Sequence, residues 1–235
     1  MSIEEIRDRI ETLRQGRGFL LPHHGAMATA APDLQDGYFH MYRALTQTPR
    51  HLTGFERETI WLAILIAVKE GVGTHHVELF FKENGRQEQV DHLTALTAFA
   101  MGSEAYAFMD KSWAGLFPKL KGESAYLSAF DALIEEGLFP RELCHLAMAA
   151  LHAAQGRHWG LSAHIKAIYA AGRREDALVE ALSLIMWPTG VNHFLDACGV
   201  WLDMMQSGII EPSERFRVWA ETPAQAGHTP ASPHY

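Results

Sequence analysis

The chain has 235 residues, 48% of them apolar and 20% charged, with a formal net charge of −8. That length accommodates one large domain or two closely packed halves with a sizeable core. The acidic balance, without a basic stripe, argues against nucleic acid or an anionic membrane as the main partner.

The two cysteines, Cys144 and Cys198, are too few for a disulfide framework and fit a reducing compartment. The N-terminus has no apolar stretch of signal-peptide length behind a basic start. The longest apolar run, residues 60–68, is far short of the roughly 20 residues of a bilayer span. A cytoplasmic location is therefore the expectation.

In chain order, residues 2–15 form an amphipathic pattern with Ile3, Ile6, Ile10 and Leu13 on one stripe. Residues 16–32 carry glycine and proline breaks and read as an extended segment. Helical periodicity then predicts helices near 34–47, 55–70, 75–84, 87–101 and 103–113. A second set follows near 124–136, 140–155, 163–171, 174–187 and 190–206. No alternating run bounded by turn residues argues for a strand. The tail, residues 221–235, is rich in proline and small residues and reads as disordered.

The two sets share one frame. Tyr38, Tyr42, Ala44 and Leu45 recur 88 positions later as Tyr126, Phe130, Ala132 and Leu133. Thr74 and His76 recur at the same offset as Ser162 and His164, and Gly102 and Trp113 as Gly190 and Trp201. Insertions between these anchors shift the offset and then restore it, as duplication requires. One such unit buries an apolar face on one side only, so two would pack about a pseudo-twofold axis. The fold class is thus all-α, a pair of tandem helical repeats. The predicted divisions are an N-terminal helix and extended segment (1–33), a first repeat (34–122), a second repeat (123–208) and a C-terminal segment (209–235).

Within residues 52–102 and 138–190 each copy runs Leu, Arg-Glu, an apolar Ala/Leu-rich helix, a break, and a His at the head of a helix with Gly eight or nine residues later. The second copy has Arg141-Glu142 and His164-Ile-Lys-Ala-Ile-Tyr-Ala-Ala-Gly172. This order and spacing resembles the carboxymuconolactone decarboxylase and alkylhydroperoxidase D-like superfamily, over most of residues 34–206. The resemblance implies a helical tandem repeat and a homo-oligomer, a trimer for a two-copy chain. It also makes Glu58 and Glu142 candidate proton relays directed at the pocket of the histidine. The peroxidase branch uses a Cys-x-x-Cys pair beside the His, and a redox pair needs two close thiols, one of low pKa. Neither break of this chain contains cysteine, which excludes disulfide-based peroxide reduction. The decarboxylase branch carries a Glu four residues before the His, where this chain has Val72 and Gly160.

Thr74 and Ser162 read as N-caps, each with a histidine two residues further on. The positive end of a helix would keep His76 and His164 neutral, able to accept a proton or to donate to a carbonyl or lactone oxygen. The catalytic candidates are therefore His164, Glu142, His76 and Glu58. Arg157 could hold a carboxylate by a bidentate pair and Trp159 could wall off water, as decarboxylation requires. With His145 and His75 they form the substrate-binding candidates. His145 and His152 lie seven apart, two turns on one helix face. No His-Glu-x-x-His or comparable motif is present, and no metal or other cofactor is expected. Phe80, Phe81, Phe99, Trp113, Trp187 and Trp201 read as core.

Three functions follow. The first is a cofactor-independent lyase or isomerase acting on a small carboxylate or lactone, with the live pocket in the second copy, His164 and Glu142 moving protons and Arg157 binding the acid. The second is a non-catalytic binding or scaffold protein that keeps the fold. The third is a His-ligated metal enzyme.

Overall fold

The computed structural model describes residues 1–134 and 137–225. Those residues are all-helical and contain no strand. The chain divides into a first unit, Met1–Thr48, and a second that begins at Pro49.

The first unit holds α1 (Ile3–Arg17), α2 (Pro22–Ala30) and α3 (Pro32–Thr46). Ser2 and Glu5 form a reciprocal capping box at the start of α1. Helix α2 corrects the expected extended segment. Pro22 and Pro32 each sit at the first position of a helix, where the missing N–H costs nothing, so these prolines start helices rather than break them. The Arg9 guanidinium ties the unit together by donating to Gln35, Asp36 and the Pro32 carbonyl.

The second unit runs α4 (Gly54–Val68), α5 (Thr74–Lys82), α6 (Gln87–Met101) and α7 (Ser103–Phe108), the last extended by a π-helical turn, Met109–Trp113. Then come α8 (Gly122–Ile134), α9 (Arg141–Ala154), α10 (His158–Ala170), α11 (Glu175–Ser183), α12 (Met186–Thr189), α13 (Val191–Gln206) and α14 (Glu214–Glu221). Helices α4 and α9 pack on each other; α5 and α6 lie against α4, and α10 and α11 against α9. Helix α6 also reaches α9, and α12 reaches α4.

Composition explains why α4 and α9 take the middle. From Leu143 to Ala154 every residue of α9 is buried, and so is Glu58–Leu65 of α4. A helix apolar on all sides has no face to offer water. Among the described residues no helix is long and apolar enough to cross a membrane.

Several boundaries differ from the periodicity. Helix α10 begins at His158, about a turn and a half before the expected start, so Ser162 is not a cap: its hydroxyl donates back to the His158 carbonyl. Gly73, not Thr74, occupies the cap position of α5. Phe80 and Trp201 are core as expected, whereas Phe81 and Trp113 are 44% exposed. Glu221 closes α14, and residues 226–235 of the expected disordered tail lie outside the described residues, as do residues 135 and 136 of the expected 124–136 helix.

A polar chain holds α14 in place. Trp201 Nε1 donates to Tyr169 Oη (2.9 Å), whose hydroxyl donates to Glu175 Oε1 (2.8 Å), which also accepts from the Ser213 amide (3.0 Å). Phe216 and Trp219 of α14 then close over the Trp201 ring. Tyr169→Phe leaves the buried indole N–H without its acceptor and Glu175 without one donor. The expected loss is about 1–3 kcal/mol of unfolding free energy, read by urea denaturation.

Candidate functional site

The two recurrent histidines each bond across the helix pair that carries them. In the first half, His76 on α5 donates or accepts through Nδ1 at 2.7 Å from Glu58 Oε2 on α4. Both side chains are almost completely buried, at 2% and 1% exposure. Arg57 Nε donates to the other carboxylate oxygen at 3.2 Å. The Trp61 ring stacks on His76 at 4.3 Å, and the His75 ring lies 4.2 Å from it. With Glu58 as acceptor, the His76 proton resides on Nδ1 and the lone pair on Nε2, the arrangement of an oriented base. A cleft of about 320 Å³ opens beside the head of α5, with apolar walls from Leu62, Leu65, Ile66 and Val77 and polar groups on Lys69, Glu70 and Thr74; the buried His76 and Glu58 side chains lie behind its lining.

In the second half the arrangement is different. His164 Nδ1 lies 2.9 Å from His145 Nδ1, and His164 Nε2 lies 2.9 Å from the Tyr126 hydroxyl. The same hydroxyl is 2.9 Å from His152 Nε2. His145 and His152 come from α9, His164 from α10 and Tyr126 from α8. Phe130 packs on both His145 and His164, and Trp159 meets Tyr126 edge-on. Two turns of helix separate His145 and His152 by about 10 Å along the axis, and the His164 ring with the Tyr126 hydroxyl spans that gap.

Gly160 makes this packing possible. A Cβ at that position would stand 2.5 Å from Cε1 of His152. The imidazole of His152 therefore occupies the space that any side chain at position 160 would need.

Glu142 and His164 are not brought together. Glu142 is one-third exposed and faces Arg174 at 3.7 Å, while Arg174 makes its short pair with Glu56 (2.6 Å). Arg157 donates to the Ala100 carbonyl at the end of α6 (3.0 Å). Trp159 is half-buried over Tyr126 and His75 is half-buried beside His76. Sequence reasoning missed Tyr126 as a site residue, although it was an anchor of the repeated frame. The remaining signal was the pair of histidines two turns apart on an otherwise apolar α9.

Burial, not the helix end, governs the protonation of the cluster. His164 lies seven residues into α10, so the positive end of the helix is not its neighbour. Burial first, then the adjacent His152 and His145, holds its imidazole well below the ordinary range. Burial, with a smaller effect from Arg141, pushes His145 down to about 4. Burial and Arg157 push His152 down to about 3. Burial raises the Tyr126 hydroxyl. All three rings are thus neutral near pH 7 and Tyr126 keeps its proton. Burial also raises the Cys144 thiol to about 12 and Cys198 to about 11, so neither is a thiolate at neutral pH. Among the described residues no group of three or more His, Cys, Asp or Glu is arranged to hold a metal ion.

Comparison with protein-family models, curated proteins and solved structures yields no match. The function must be argued from the geometry.

Two outcomes follow. Gly160→Ala drives a methyl into His152 and should cost about 1–3 kcal/mol, measured as a lowered denaturation midpoint. Unfolded imidazoles take up protons below about pH 6.5, whereas His145 does so only near 4, so the unfolded state binds more protons between these values. Stability should therefore fall as pH drops from 6.5 to 4, on the order of 3 kcal/mol for His145 alone. Thermal melts across that window check the slope, and a flat midpoint contradicts it.

Proposed function

We propose that the chain is a tandem, two-copy member of the carboxymuconolactone decarboxylase-like group. In this reading it acts as a cofactor-independent lyase or isomerase on a small carboxylate or lactone. One observation carries the reading. His76 and His164, equivalent in the repeated frame, each bond through Nδ1 to a titratable side chain on the helix pair's first member, Glu58 and His145 respectively. The reciprocal packing of α6 on α9 and α12 on α4 supports the duplicated arrangement.

The first copy is the better acid–base centre. Glu58 orients His76 and would stabilise the imidazolium formed when Nε2 takes a proton from the substrate, from its carboxyl group before carbon dioxide departs or from the C–H beside its carbonyl in an isomerisation. The same nitrogen then returns that proton to the carbanion or enol left when carbon dioxide departs, or to the adjacent carbon in an isomerisation. The neighbouring cleft has apolar walls and carries Lys69, which would pair with a substrate carboxylate, beside Glu70. The homotrimer and the cytoplasmic location belong to the same proposal.

The complete burial of His164 and His152 favours a second reading, a fold kept for packing or binding without catalysis. The test is turnover of a panel of small carboxylated lactones and keto acids. His76→Ala and Glu58→Gln should each lower turnover at least about a hundredfold with an unchanged circular dichroism spectrum. Equal turnover in wild type and both variants removes the dyad from the reaction, and no turnover of any compound by wild type favours the binding protein.

A further inference from the structure

A second cleft, of about 430 Å³, lies on the second unit and shares no lining residue with the cleft beside α5. Its walls come from His51 before α4, from Arg173 and Arg174 at the head of α11, and from Ser213, Arg215 and Phe216 at the head of α14. Buried carboxylates tie these walls together. Glu180 Oε2 accepts from the amides of His51 (2.7 Å) and Leu52 (2.9 Å), and Glu175 Oε1 accepts from the Ser213 amide (3.0 Å). Arg174 donates to the His51 carbonyl (3.4 Å). The cleft is therefore formed before any ligand arrives, which lowers the cost of binding.

Its charge runs against that of the acidic chain. Three guanidinium groups line it, against the carboxylates of Glu175 and Asp176. Glu175 is buried and turned inward, where its Oε1 also accepts from the Tyr169 hydroxyl (2.8 Å). Asp176 pairs with Arg215, and because that pair is exposed, Arg215 can exchange partners at little cost. Arg174 pairs with Glu56 (2.6 Å) and lies 3.7 Å from Glu142, but a guanidinium has five N–H groups and these contacts do not use them all. The ion pairs of the cleft thus engage Arg174 and Arg215, whereas Arg173 makes none among the described residues. Arg173 also sits at φ 61°, in the left-handed region that favours glycine. An unpaired cation held in a cleft by an unfavourable backbone conformation is the kind of strain found at ligand sites.

We propose that this cleft binds a tetrahedral oxyanion, the phosphoryl group of a small molecule, between Arg173, Arg174 and Arg215. A carboxylate has two coplanar oxygens and is satisfied by a single guanidinium. A phosphoryl group has three oxygens around a tetrahedral centre and takes donors from several directions, as arginines on two helix heads supply them. Asp176 and Ala177 line the cleft as well, and their amides belong to the first turn of α11, where no intrahelical acceptor is available. The volume, within the roughly 300–1,000 Å³ of small-molecule sites, leaves room for an organic remainder against the Phe216 ring. The site stands apart from His76 and Glu58 and does not depend on their catalysing a reaction.

The experiment is a titration of nitrogen-15-labelled full-length protein with sodium phosphate at pH 7 and constant ionic strength, followed by amide shifts, with succinate as the carboxylate control. The expected result is saturable shifts centred on the amides of Arg173, Asp176, Ala177 and Ser213, with succinate at least about tenfold weaker. Arg173→Gly suits the positive φ, so its melting temperature should be unchanged or raised while phosphate affinity falls at least about tenfold. Arg215→Gln should also weaken phosphate, and it decides the matter if the first variant does not fold. No saturation up to about 50 mM phosphate, succinate binding as tightly as phosphate, or unchanged affinity in a folded Arg173→Gly protein overturns the site. The readout is binding rather than turnover, so failure of the lyase reading leaves this result untouched.

Discussion

Everything in the second unit depends on burying α4 and α9, two helices with almost no polar face. Once they are packed on each other, any polar side chain they carry is removed from water and must find a partner inside the protein. Glu58, His145 and His152 are such side chains, and all three are nearly inaccessible. Their partners come from α5, α8 and α10, so the candidate site is a consequence of the same burial that makes the core.

The two halves meet this demand with different chemistry. In the first, a carboxylate faces an imidazole, a pair that can separate charge and hold it, with Arg57 at the other oxygen. In the second, a neutral chain of imidazoles and one phenol bonds without charge and leaves His152 Nδ1 buried without a hydrogen-bond partner. The difference follows from which residues surround each histidine. The first half places Trp61 on the His76 ring; the second places His145 on α9 and leaves position 160 bare, so that His152 can pack where a side chain would otherwise stand. A carboxylate at position 160 would have no room beside His152, which gives a physical reason for the glycine there.

Much of the architecture was legible. The all-helical class follows from unbroken 3.6-residue periodicity, and the middle of each helix from α4 to α6 and at α9 and α13 lies where the pattern puts it. Helix starts were less legible. Pro22 and Pro32 looked like breaks but begin helices, because proline disrupts only positions whose N–H is needed. Ser162 looked like a cap, but α10 takes up His158 and Trp159 first, since Trp159 gains cover from Tyr126.

The sequence by itself determined the helical class, the recurrence of like residues 88 positions apart, His76 and His164 among them, and the absence of a Cys-x-x-Cys pair. These are properties of local spacing, which a linear chain displays directly. Only the tertiary structure decided the partners: Glu58 for His76, but His145 and Tyr126 for His164, with Glu142 turned to Arg174. The reason is geometric. Periodicity tells which side of a helix a residue occupies, whereas a hydrogen bond of 2.7–2.9 Å between residues 18 to 38 positions apart depends on how neighbouring helices are set against each other.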